Sequence, residues 1–190
     1  SSDLLGLAGA GGAIMSLLEL DDLNADPPLG WSSHRQLALA LLNGLTPDRL
    51  REDPYLDILG GVSGLVGPLL RLRDLNADDL AHLAGITLIK RQDQSGGWLP
   101  PLNQYKPGAT PLTGFSHGAA GISACLARLF FATGENSFLD AAVRGLDYEE
   151  MTFDSEHGNW PDFRFTSVSN EFMVSWCHGS PGIVLARLCI

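Results

Sequence analysis

The chain has 190 residues, 45% of them hydrophobic, with 22 glycines and a formal net charge of −10. That length suffices for one domain with a sizeable core, and the acidic balance argues against nucleic acid and anionic membrane surfaces as partners, because both are polyanions. Apolar stretches are broken by Gly, Arg or Pro within about 12 residues, too short for a bilayer span; no secretory leader is expected at Ser1, and three widely spaced cysteines, Cys125, Cys177 and Cys189, predict a reduced, cytoplasmic setting rather than a disulfide framework.

In chain order, a first apolar helix is predicted behind Gly6-Leu-Ala-Gly9, on Ala13, Ile14, Leu17 and Leu18. An amphipathic helix capped by Ser33 follows over residues 33–43. Gly61-Val-Ser-Gly64 opens a second apolar helix on Leu65, Val66, Leu69 and Leu70. Asn76 is the expected cap of the next amphipathic one, which carries Leu80, Leu83, Ala84 and Leu88. Residues 94–113, rich in Gly, Pro and Ser, read as a long loop. Gly118-Ala-Ala-Gly121 then opens a third apolar helix on Ile122, Leu126 and Leu129, and Ser137 is the expected cap of a helix carrying Leu139, Ala142, Val143 and Leu146. After a second long loop over residues 154–170, Gly179-Ser-Pro-Gly182 leads into Ile183, Val184 and Leu185.

The closing glycines of the four motifs are 55, 57 and 61 residues apart, a period that marks a repeated supersecondary unit. Each unit reads as a glycine-led apolar helix, enclosed, and an amphipathic helix outside it. Small residues at the start of the inner helix permit close helix approach or leave backbone N–H groups open to a cavity. Strand signals are nearly absent. The predicted fold is therefore all-α, an α/α toroid of helical hairpin repeats, with four inner helices leaving the ring incomplete.

Reactive residues stand just before the glycine motifs: Asp57 before the second, His117 before the third, Cys177 and His178 before the fourth. If the repeat is real, like-placed Asp57, His117 and Cys177 meet at the same end of the bundle and converge on one cavity. A helix N-terminus favours a thiolate, the metal-binding form of cysteine, and a neutral imidazole able to accept a proton; a carboxylate such as Asp57 orients the ring or favours its charged form. Each residue also has a plainer reading: a small buried hydrophobe for Cys177, a capping or structural histidine for His117, a helix N-terminal acid for Asp57. Cys125 and Cys189 read as packing residues, His34, His82 and His157 as surface or packing residues, and Trp98, Trp160 and Trp176 as core or as walls of a peptide groove. A catalytic zinc takes three protein ligands and keeps one open position; spacing supplies one, because adjacent Cys177 and His178 do not readily face one metal.

The segments Leu112-Thr-Gly-Phe-Ser-His-Gly-Ala-Ala-Gly-Ile122, Gly158-Asn-Trp-Pro-Asp162 and Ser175-Trp-Cys-His-Gly-Ser-Pro-Gly-Ile183 with Arg187 resemble the lanthionine-cyclase family, most closely the cyclase portion of class II lanthipeptide synthetases. The resemblance runs over nearly the whole chain and implies one partial cyclase domain over residues 1–190 with an α/α-toroid fold. It implies zinc-dependent addition of a cysteine thiol to dehydroalanine or dehydrobutyrine in a ribosomal precursor peptide, with a separate dehydratase domain in the full-length protein. Cys177 is then the first zinc ligand, His117 the acid/base and Asp57 its carboxylate partner. His178 falls at a position that varies in the family and is a secondary metal candidate. The family's other two zinc ligands come from a later Cys-His-Gly motif. The chain resembles the first two thirds of such a domain, so its zinc site is expected to be incomplete, and the chain by itself weakly metallated and inactive. Two competing readings are a non-catalytic peptide-binding toroid and another α/α-toroid enzyme, such as a prenyl cyclase or a glycosidase drawing on Asp57 and the Asp154, Glu156 and Asp162 group.

Overall fold

A computed structural model describes residues 4–101, 109–164 and 171–190. The predicted loops over 94–113 and 154–170 therefore fall partly outside the described residues; the described parts are irregular, with isolated bridges pairing Asp154 with Asn159 and Asp162 with Glu171. The described residues form eight helices: α1 (Ala10–Asp22), α2 (His34–Leu42), α3 (Pro47–Arg51), α4 (Ser63–Leu72), α5 (Leu75–Arg91), α6 (Ala119–Thr133), α7 (Asn136–Met151) and α8 (Ser180–Arg187).

All four glycine motifs open a helix, as the spacing predicts. Ser33 caps α2, its hydroxyl accepting from Gln36 N at 3.1 Å. Two caps differ from expectation. Asp74, not Asn76, caps α5, accepting from the Asn76 and Ala77 amides; a carboxylate two residues upstream competes better for the first-turn donors. Helix α7 starts at Asn136 with no side-chain cap, so Ser137 lies inside it. The short α3, with Thr46 as cap and Pro47 in its first turn, escapes any periodicity argument.

Packing follows the repeat. Helices α1 and α2, α4 and α5, and α6 and α7 pair as hairpins, α1 packs on α4, α4 on α6 and α6 on α8. This is an arc of an α/α toroid, with α1, α4, α6 and α8 inside and α2, α5 and α7 outside. Helix α6 is buried from Ala119 through Ala127, and Leu126, Leu129, Leu65, Leu69 and Phe138 are almost fully enclosed; each such side chain contributes roughly 1.5–3 kcal/mol of transfer free energy. At the ends of the arc, α1 and α8 each bury a single stripe. No helix of the described residues is long and apolar enough to cross a membrane.

A belt of main-chain hydrogen bonds joins the four glycine turns. Ala8 N donates to Leu59 O (2.8 Å), Leu59 N to Ser116 O (3.4 Å), and Ser116 N to Cys177 O (3.1 Å). The motif glycines are required by their own turns: a Cβ on Gly64, Gly121 or Gly182 would lie 2.0, 1.9 or 2.0 Å from the carbonyl oxygen of Ile58, Phe115 or Trp176.

Candidate active site

The belt fixes the true register of the repeats. Each close carbonyl lies six residues before its glycine, so Leu59, Ser116 and Cys177 are equivalent, as are Gly60, His117 and His178. The sequence reading treated Asp57, His117 and Cys177 as like-placed; the structure corrects this, because Asp57 is the counterpart of Gly114. The three nevertheless lie at one end of the arc, brought there by a turn-to-turn ladder.

Asp57 and His117 meet. His117 Nδ1 is 2.7 Å from Asp57 Oδ2, while Asp57 Oδ1 accepts from Gly60 N (2.6 Å) and Gly61 N (3.2 Å). Asp57 is buried, whereas the His117 side chain keeps 31% of its surface exposed. With its carboxylate acceptor on Nδ1, His117 carries its ring proton there and presents Nε2 as the basic nitrogen. Both residues line a cavity of about 390 Å³, together with Tyr55, Trp98, Leu112 and Arg164. Trp98 is otherwise core, with Nε1 donating to Leu88 O at 2.8 Å. Arg164 is paired to Asp162 through Nε and a terminal nitrogen at 2.6–3.2 Å.

The common cavity expected for all three residues is not formed: Asp57 and His117 line it, whereas Cys177, one turn further on, does not, and neither does His178. Cys177 is half-buried, its sulfur 3.1 Å from Ser175 Oγ, which also receives the His178 N–H. The His178 ring stacks on His117 with centroids 5.7 Å apart, and its Nε2 lies 3.4 Å from Ser116 Oγ. Burial, then the Arg164 guanidinium, hold His178 down to about 4, which keeps the ring neutral at physiological pH.

Zinc with three protein ligands is not accommodated by these residues. Among the described residues no group of three or more His, Cys, Asp or Glu side chains converges as a metal site, and the His178 ring is enclosed against Ser116 and His117. Cys177 offers one sulfur ligand.

Four residues of this region went unremarked individually in the sequence: Ser116, Glu149, Asn159 and Arg164. Ser116 is fully buried and is the belt's middle link. Asn159 Oδ1 accepts from Ser180 N at 2.8 Å, which caps α8, and its Nδ2 donates to Met173 O. Trp160 Nε1 donates to Glu149 O, and Pro161 O accepts from Thr113 Oγ1. The segment Gly158-Asn-Trp-Pro-Asp162 is thus a clasp that docks both glycine turns, a role its composition did not disclose. Asp162 of this segment holds Arg164, and upstream Asp154 accepts from the Glu156 and His157 amides. Trp160 is buried, whereas Trp176 is about half exposed, edge-on to Phe115. His34 is buried, while His82 and His157 pair at the surface with Glu135 and Asp154. Burial pushes the Cys125 thiol up to about 12, as a packing residue requires, and Cys189 is half-buried.

The family model for lanthionine synthetase C-like proteins matches residues 1–190. Among solved structures, nisin cyclase is similar with a TM-score of 0.70 over 98% of this chain, at 22% identity. The likeness is one of fold. The match covers 53% of nisin cyclase, so this chain spans about half of that protein's length. No curated protein matches the sequence.

Proposed function

The chain belongs to the lanthionine synthetase C-like family, and on that premise we propose that it is part of an enzyme closing thioether rings in dehydrated precursor peptides. The observation that carries this reading is the contact between His117 Nδ1 and Asp57 Oδ2 at the wall of a cavity large enough for a side chain and its flanking backbone. In the proposed step His117 Nε2 takes the proton of a substrate cysteine thiol. The sulfur forms a bond to the β-carbon of dehydroalanine or dehydrobutyrine, and the double-bond pair moves onto the α-carbon and its carbonyl as an enolate. The imidazolium then returns a proton to the α-carbon, which restores neutral His117. Asp57 holds the productive tautomer and steadies the charged ring between the two transfers. Trp98, Leu112 and Tyr55 exclude water from the developing charge.

Cys177 is proposed as one zinc ligand, the others coming from outside the described residues; a bound zinc favours thiolate formation. Assignment to class II, with a dehydratase domain and a cytoplasmic setting, rests on motif likeness and on the free thiols. The absence of a three-ligand cluster among the described residues favours, as a second reading, a module that holds peptide without closing rings.

A ring-closing assay of the full-length protein on dehydrated peptide tests the proposal. His117→Ala is expected to slow closure while zinc content is retained, and Cys177→Ala to lower bound zinc. Unchanged closure by His117→Ala overturns the acid/base role. Stoichiometric, tightly held zinc in the 190-residue chain overturns the assignment of the remaining ligands.

A further inference from the structure

Glu149, in the last turn of α7, is fully buried and takes no direct part in the cavity. Its Oε1 accepts two main-chain hydrogen bonds, from Gly114 N at 3.0 Å and from Ala120 N at 2.8 Å. These two amides bracket the segment that carries Ser116 and His117. Ala120 lies in the first turn of α6, a helix whose N-cap is Gly118 and which has no side-chain cap of its own. First-turn amides without a partner are costly when enclosed, so a carboxyl from the outer helix supplies what the glycine cannot. Gly114 also stands against the next turn: with φ of +100°, its Cβ would lie 2.9 Å from Cys177 O. The main chain of Glu149 is tied in turn, since its carbonyl accepts from Trp160 Nε1 at 2.6 Å. Its second oxygen, Oε2, is enclosed and has no hydrogen-bond partner among the described residues. Burial disfavours the charged carboxylate more than the two hydrogen bonds favour it, while Oε1 stays the acceptor for both amides.

We propose that Glu149 is a positioning residue for His117: one carboxyl oxygen, by gripping both ends of the histidine's turn, holds the ring against Asp57 and fixes that turn beside Cys177. This rests on reading His117 as the acid/base of the cavity, but its consequence is geometric and is measured without substrate. Glu149→Gln retains a carbonyl oxygen of the same reach. Glu149→Asp is one methylene short, so one oxygen no longer serves both amides, and Glu149→Met fills the space with no oxygen acceptor.

The experiment is NMR on the full 190-residue chain, following amide exchange at Gly114 and Ala120 and the hydrogen-bonded Nδ1 proton of His117, with near-ultraviolet circular dichroism to confirm the fold. Glu149→Gln is expected to preserve slow exchange and the His117 signal. Glu149→Asp and Glu149→Met are expected to accelerate exchange at both amides about tenfold, the size of one lost hydrogen bond, and to lose the His117 signal. If Met does not fold, the Asp variant decides. Accelerated exchange with an unchanged His117 signal would reduce Glu149 to a structural cap and overturn the proposal, as would a Gln variant that behaves like Met. Failure of ring closure in the full-length protein with these NMR results intact would overturn the cyclase reading and leave the positioning role standing.

Discussion

His117 and His178 occupy equivalent places on successive glycine turns, in Phe-Ser-His-Gly and Trp-Cys-His-Gly, yet the fold treats them oppositely. The first has a carboxylate at 2.7 Å and an open side facing a cavity. The second is enclosed, faces the Ser116 hydroxyl and is held down to about 4 by burial and by Arg164. The anchoring differs too. Glu149 from α7 grips the first turn, while Asn159 from the irregular clasp grips the second. A local motif sets the direction of a side chain; the preceding turn decides its chemistry, because it does or does not deliver an acid.

The sharpest way to break this contrast is to remove each ring. His117→Ala is expected to slow ring closure by about 10²- to 10⁴-fold, the usual contribution of a positioned acid/base, and His178→Ala by less than about tenfold; equal losses in a single-turnover assay would erase the distinction. Next in size is Gly114→Ala, which strains a positive φ and drives a methyl towards Cys177 O. It is expected to cost about 2–3 kcal/mol in urea unfolding. Gly134→Ala, with φ of +75° and no atom within 4 Å of the new methyl, is the control and is expected to cost about 1 kcal/mol.

The first turn also has a pH signature. Burial holds Glu149 protonated up to about 8, against 4.5 for an ordinary glutamate. Between those values the folded chain keeps a proton that the unfolded chain has lost, so this group's contribution to stability falls as pH rises through the window. Unfolding midpoints at about pH 5 and about pH 8 are expected to show Glu149→Gln gaining on the parent chain at the higher pH; a constant difference would mean that Glu149 is ionised throughout. The smallest effect belongs to the second turn. Asn159→Ala removes the α8 cap and is expected to cost about 1 kcal/mol, detectable as faster exchange at Ser180 N.

Much of the architecture was legible because it is periodic. Four glycine motifs at similar intervals marked four inner helices, and hydrophobic spacing placed their partners. The repeat suggested that Asp57 and His117 lie close, and the family resemblance made Asp57 the carboxylate partner, although the register behind the repeat argument was shifted: Asp57 matches Gly114, and only the belt of carbonyls and amides reveals that. Glu149 was hidden because nothing in an amphipathic helix distinguishes a carboxylate that turns inward from those facing water; its partners lie about 30 residues away and are main-chain atoms. Asn159, in an irregular segment, was hidden because its acceptor serves a main-chain amide 21 residues on.

The link from Ala8 through Leu59 and Ser116 to Cys177 runs entirely through peptide groups. A peptide group is the same whatever side chain it bears, so an alanine, a leucine, a serine and a cysteine stand in one row without disturbing it. Reactive groups can be exchanged along such an arc while their spacing persists. The scaffold is thereby insulated from the chemistry it displays, and a new side chain at any of these stations inherits an address already fixed to within a hydrogen bond.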